Sequence, residues 1–198
     1  LHLFGSNAAA MAKASPVPVL IVPKDAQYNG LRHILLADDL DVVLHLGDYI
    51  YESSYKAGTV RHHARGEPFT LADYRMRYAQ YRGDDDLKAA HAAASWLMVW
   101  DDHEVENDYV GVYSENNDDP VWFAKRRANA YRAWYEHMPV PDAMRPVGAG
   151  MRIHTSVPYG ALVDFTLLDG RQYRSPQPCP PPGHGGSTTI RDCAARLA

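Results

Sequence analysis

"LHLGDYIYE", residues 44–52, decides how the chain is read. With Val42 and Val43 before it, an apolar run leads straight into Gly47, Asp48, Tyr49 and Tyr51. Such a run suits a buried strand, and a carboxylate at its end costs free energy unless something pairs with it. Asp48 therefore either caps its own loop through local backbone donors or binds a cation.

Two further segments repeat the pattern. "SWLMVW" (95–100) is a short apolar run that ends in Asp101-Asp102-His103-Glu104. "GALVDFTLLDGRQYR" (160–174) alternates, turns apolar, and ends in Asp169-Gly170-Arg171. Helical patterns separate these strands. "GLRHILLADD" (30–39) puts Leu31, Ile34 and Leu35 on one face, ahead of a strand over 41–46. "TLADYRMRYAQYRG" (70–83) opens with Thr70 and Asp73 spaced as a capping box, followed by Tyr74, Tyr78 and Tyr81 at helical spacing. "DDDLKAAHAAA" (84–94) has acids at its positive end. Asp119-Pro120 starts a longer helix by cap and first-turn proline, whose stripe of Phe123, Ala130, Tyr131, Trp134, Tyr135 and Met138 reads as core. Strands alternating with helices predict an α/β sheet with helices on its faces and ligands at the carboxyl ends of the strands.

Acidic strand ends converging on one crevice raise one another's pKa unless a cation neutralises them. Oxygen donors with one imidazole suit Fe³⁺, Mn²⁺, Mg²⁺ or Ca²⁺ better than a closed structural zinc site. Tyr51 adds a phenolic oxygen. Asp101 to Glu104 read either as a helix N-terminus or as a carboxylate beside a histidine in a metal-activated hydrolase. Arg171 either clamps a phosphate oxygen or pairs with Asp169. His45 and the remaining histidines read as structural or exposed.

The bulk composition narrows the class. The 198 residues carry 46% hydrophobic and 22% charged side chains with a net charge of −4, the profile of a globular domain without a nucleic-acid-binding surface. The basic cluster Lys125-Arg126-Arg127 reads as a solvated helix face. No apolar run is long enough to cross a bilayer, and residues 1–30 show no signal peptide. Cys179 and Cys193, in a Pro/Gly/Ser-rich loop, form either a disulfide suited to an exported protein or two free thiols.

"LHLGDYIYE", "WDDHEVEN" and "LLDGRQYR", in this order and with "TLADYRMRYAQYR" and "YRAWYEHMP" between them, resemble the PhoD-like alkaline phosphatase and phosphodiesterase family of metallophosphoesterases. The resemblance covers about residues 26–198, leaving 1–25 as an irregular N-terminal segment. It implies a metallophosphatase-type β-sandwich flanked by helices, exported from the cytoplasm. It further implies hydrolysis of small phosphate mono- and diesters by a metal-activated water, at a centre holding Fe³⁺ with Ca²⁺, with Mn²⁺ or Zn²⁺ as alternatives. Asp48 matches the bridging carboxylate, Tyr51 the tyrosinate ligand, Asp102 a metal-binding position, and His103 the histidine beside the phosphate; Arg171 lies in a family motif and is expected at the substrate. The family's iron-binding cysteine falls about where Ala26 stands, next to Asp25. No Gly-Asp-x-His motif follows, so the expectation is a partial catalytic domain lacking the second half of the sandwich. A catalytically silent fragment is the alternative reading.

Overall fold

A computed structural model of the chain describes residues 19–22, 40–53 and 63–179. Three strands, β1 (Val19–Val22), β2 (Val42–His45) and β3 (Ser95–Met98), form a parallel sheet in the order β1-β2-β3. Val19 pairs with Val42, and Val42 in turn with Ser95. Three helices follow the sequence pattern: α1 (Leu71–Arg82), α2 (Asp85–Ala93) and α3 (Pro120–His137). Two later strands, β4 (Thr155–Tyr159) and β5 (Val163–Leu167), pair with each other in antiparallel fashion. The chain is thus mixed α/β.

Local chemistry explains the helix ends. Thr70 Oγ1 accepts from Asp73 N at 3.2 Å while Asp73 Oδ2 accepts from Thr70 N at 3.0 Å, so the capping box closes in both directions. Asp84 and Asp119 each accept a backbone N–H three residues on, at 2.9 Å. Between β2 and β3 the crossover carries α1 and α2, as a parallel pair requires.

The core lies between the sheet and the α1–α3 pair. Tyr74, Tyr78, Phe123, Tyr131 and Trp134 are fully buried. Trp100, just past β3, stacks on Tyr131 with centroids 4.3 Å apart and planes 5° off parallel, which fixes the end of the strand against α3. The apolar stripe read from the sequence is core.

Three readings need correction. The segment 1–25 is not irregular throughout, because Val19–Val22 form β1; four residues flanked by prolines carry too little periodicity to be read as a strand. The strand ending at Asp169 does not join the parallel sheet; it pairs with β4 in a separate hairpin, turned by Gly160 at φ 61°. The basic cluster is not a solvated face: Arg126 and Arg127 are buried, and Arg126 bonds Glu106 at 2.6 Å and Glu67 at 2.5 Å. The helix expected over 30–39, as well as Asp25, Ala26 and Cys193, lies outside the described residues. Cys179 is disulfide-bonded.

Candidate functional site

The chain leaves β2 through two consecutive residues with positive φ, Gly47 at 108° and Asp48 at 58°. Gly47 has no substitute there. A Cβ on it would stand 2.3 Å from Asp101 N and 2.7 Å from Trp100 C, so the backbones leaving β2 and β3 touch at this point. The left-handed turn at Asp48 is tolerated by a short acid and turns its carboxylate back over the strand ends.

Asp48, Asp102 and His103 meet there. One ligand atom from each lies within 4.8 Å of the others, and all three side chains are buried. Tyr51 Oη donates to Asp48 Oδ2 at 3.3 Å, and its ring lies 4.3 Å from that of His103. The expected residues of the first two strand ends are therefore neighbours. Arg171 arrives from beyond the hairpin, where its Nε donates to Asp101 Oδ1 at 2.5 Å and its Nη2 meets Asp102 Oδ1 at 3.0 Å. Its guanidinium is spent on these carboxylates, while Asp169, among the described residues, accepts from the backbone of residues 171 and 172 and from the Gln172 and Trp100 side chains.

Two acids to which the sequence reading assigns no role of their own hold this arrangement. Glu52 takes the Nδ1–H of His103 at 2.7 Å through one oxygen and the N–H of Asn107 at 2.9 Å through the other, so it orients the ring and joins the two loops. With Nδ1 turned to Glu52, Nε2 is the ring nitrogen that a ligand would meet. Glu104 accepts from the backbone of Tyr49 and, at 2.9 Å, of Asp101, tying the exit from β2 to the exit from β3. In the sequence Glu52 follows apolar and aromatic residues, and Glu104 stands inside an acidic run.

Helix α1 anchors both loops. Arg77 is buried and donates to the carbonyl oxygens of Tyr51 and, at 2.7 Å, Glu52. Tyr81 Oη accepts from Tyr51 N at 3.1 Å, and Tyr74 Oη donates to Val105 O at 2.6 Å. Tyr74 and Tyr81, which fall at helical spacing along α1 and are buried, thus also place the site.

The electrostatics follow from this density of acid. Burial pushes the Glu104 carboxyl up to about 8, with the charge on Asp48 adding to it. Burial disfavours the charged form of His103, but the Glu52 bond and the charges of Glu52, Asp102 and Asp48 outweigh it and raise the imidazole to about 9. Among the described residues, carboxylates outnumber the bases facing them, an arrangement that favours a cation.

Comparisons with known proteins point to one family. Residues 22–197 match the family model described as PhoD-like phosphatase. The chain is 48% identical over 155 residues to alkaline phosphatase D of Bacillus subtilis (strain 168), covering 76% of this chain and 26% of that protein. A solved structure titled "Structure of PhoD" superposes with a TM-score of 0.72 at 44% identity, covering 79% of this chain and 31% of that one. The chain therefore spans about a quarter of the length of the curated relative it matches. It belongs to the PhoD-like phosphatase family.

Proposed function

We propose that the chain is the metal-site-bearing part of a phosphoesterase that hydrolyses small phosphate mono- and diesters. One observation carries the reading: Asp48 and Asp102, from the ends of neighbouring parallel strands, bring oxygen donors together with His103 in a buried cluster. The donor set fits a hard cation. Carboxylate oxygens with a phenol at 3.3 Å suit Fe³⁺, Ca²⁺ or Mn²⁺, and a left-handed Asp48 is the backbone strain expected where a ligand is being aimed. Asp48, Asp102 and Tyr51 would hold the ions; iron with calcium is the pair that the family resemblance supports.

A bound cation supplies Lewis acidity toward a phosphoryl oxygen and lowers the pKa of water at the site. The chain's own residues supply the rest. His103, with Nδ1 fixed by Glu52, presents Nε2 to the phosphoryl or leaving-group oxygen and gives it a hydrogen bond or proton. Glu104 keeps the two strand exits at one separation, and Arg77 and Tyr81 keep the Asp48–Glu52 loop from moving. Preorganisation of this kind lowers the barrier because nothing has to reorient during the reaction. The parallel sheet is taken as one layer of the metallophosphatase sandwich.

A silent fragment is the second reading. Asp102 already accepts from Arg171 and, at 2.7 Å, from Asp108 N, so both its oxygens have partners without any ion. Export is supported by the disulfide at Cys179, a bond that persists in oxidising compartments. No helix among the described residues is long and apolar enough to cross a membrane.

Metal analysis of the purified protein, with a chromogenic phosphodiester assay in the presence and absence of chelator, tests the proposal. Bound metal with chelator-sensitive turnover supports the enzyme. Bound metal without turnover supports the silent fragment, and neither metal nor turnover removes the cation site altogether.

A further inference from the structure

Arg171 is the residue whose surroundings least resemble a substrate clamp. Only 5% of it is exposed. Asp169 accepts the backbone N–H of Arg171 at 2.9 Å and shapes the turn, sending the guanidinium toward the exit from β3. There Nε bonds Asp101 at 2.5 Å, Nη2 lies 3.0 Å from Asp102 Oδ1, and Nη1 reaches Tyr109 O at 3.5 Å and stands 4.0 Å from Asp108. Every edge of the fork is engaged. From the other side, Asp108 N donates to Asp102 Oδ2 at 2.7 Å.

We infer that Arg171 is a positioning residue that fixes the Asp102 carboxylate in the orientation the cation site uses, and that it does not grip the phosphoryl group. The inference rests on the reading of Asp102 as a cation ligand. Asp102 is held at one oxygen by Arg171 and at the other by Asp108 N, so its plane cannot rotate. A fixed positive charge beside a cation site is adverse by Coulomb's law. Its presence there makes sense only if orienting the ligand outweighs that repulsion, as partners behind metal ligands do elsewhere. Arginine suits the task because one planar fork spans two neighbouring acids, whereas lysine offers a single point charge.

The two effects have opposite signs, which makes the inference testable. Loss of the charge alone would tighten cation binding; loss of the orientation would weaken it. The test titrates the full chain with Mn²⁺ alone, counting free ion by electron paramagnetic resonance, in wild type, Arg171→Lys, Arg171→Gln and Asp48→Asn, with thermal melts as the check on folding. Inorganic phosphate binding is then measured at saturating Mn²⁺. Both Arg171 variants are expected to weaken Mn²⁺ binding by about 10–100-fold with phosphate affinity unchanged. If Arg171→Gln fails to fold, Arg171→Lys decides by itself, since it keeps the buried charge. Mn²⁺ binding that is unchanged or tighter, with phosphate weakened, would make Arg171 an anion ligand and overturn the inference. Loss of Mn²⁺ in Asp48→Asn but not in the Arg171 variants would sink the inference and leave the cation site standing. A wild type that binds no Mn²⁺ would sink both.

Discussion

Two clusters of buried charge share this small domain, and they are built differently. Around Arg126, one guanidinium bonds Glu106 at 2.6 Å and Glu67 at 2.5 Å, takes Tyr74 Oη at 3.1 Å, and lies over Phe69 with its carbon 4.4 Å from the ring centroid. That cluster closes on itself. Burial raises Glu106 to about 7, with Arg126 pulling against it. At the ends of β2 and β3, Asp48, Glu52, Asp101, Asp102 and Glu104 gather around Arg171 and His103. The second cluster brings three ligand atoms to one point, where a cation would be held. Acids wrapped around one buried guanidinium mark structure, and acids from two strand ends converging on an imidazole at a left-handed turn mark a candidate binding site.

The contrast can be broken at either cluster. The largest effect on stability is expected from Arg126→Met, which leaves Glu106 buried without its guanidinium partner. Unfolding in urea should show a loss of about 3–5 kcal/mol, while Mn²⁺ affinity measured on the folded fraction stays at the wild-type value. A loss of Mn²⁺ binding in this variant would mean that the two clusters are one.

Asp48→Asn should do the reverse. Asparagine also tolerates a left-handed backbone, so the variant should fold with unfolding free energy no lower than wild type. Its cation affinity should fall beyond the roughly 100-fold that outer partners contribute. Chelator-sensitive phosphodiester turnover should vanish with it, as followed by calorimetry and a chromogenic assay.

Glu52→Gln is a milder cut at the same place. The His103 ring loses its anionic partner but keeps a neutral one. Turnover at saturating cation should drop about 10–100-fold with KM little changed, in steady-state kinetics. An equal rise in KM alone would mean that His103 binds substrate without taking part in the chemistry.

Acid should expose a further effect at the end of β2, where His45 Nδ1 accepts from Gly47 N at 3.3 Å. Burial, with the nearby charge of His91 adding to it, lowers His45 to about 3 from 6.5. The unfolded chain then binds a proton that the folded one refuses, so stability should decline as pH falls from about 6.5 toward 3, by at most about 1.4 kcal/mol per pH unit. Urea melts of wild type and His45→Phe should differ in slope across this window. Parallel slopes would remove His45 as the cause.

What was legible in the sequence was local. The capping box at Thr70 and Asp73, the proline-started helix from Asp119, and the apolar runs ending in Asp48 and Asp102 announce themselves because their partners lie a few residues away. What stayed hidden depends on distant pairing. Lys125-Arg126-Arg127 looks like a solvated face because the acids that bury Arg126 lie 20 and 59 residues off. The strand before Asp169 looks like a third member of the sheet, since alternation does not name its partner. Even so, Arg171 reaches the site, 70 residues from the Asp101 it bonds. Glu52 gives no sign of its role because a lone acid after apolar and aromatic residues does not say whether it ligates, orients or caps. Glu104 reads with Asp101, Asp102 and His103, without a role of its own, because its partner Tyr49 lies 55 residues away.

The most direct measurement is an anomalous-difference map from crystals of this chain grown with Mn²⁺. A peak bounded by Asp48, Asp102 and His103, with Tyr51 beside it, is expected. Peaks confined to surface acids, with Asp48 and Asp102 facing each other across nothing but solvent, would contradict the cation site and with it the reading of the chain as the working part of a phosphoesterase.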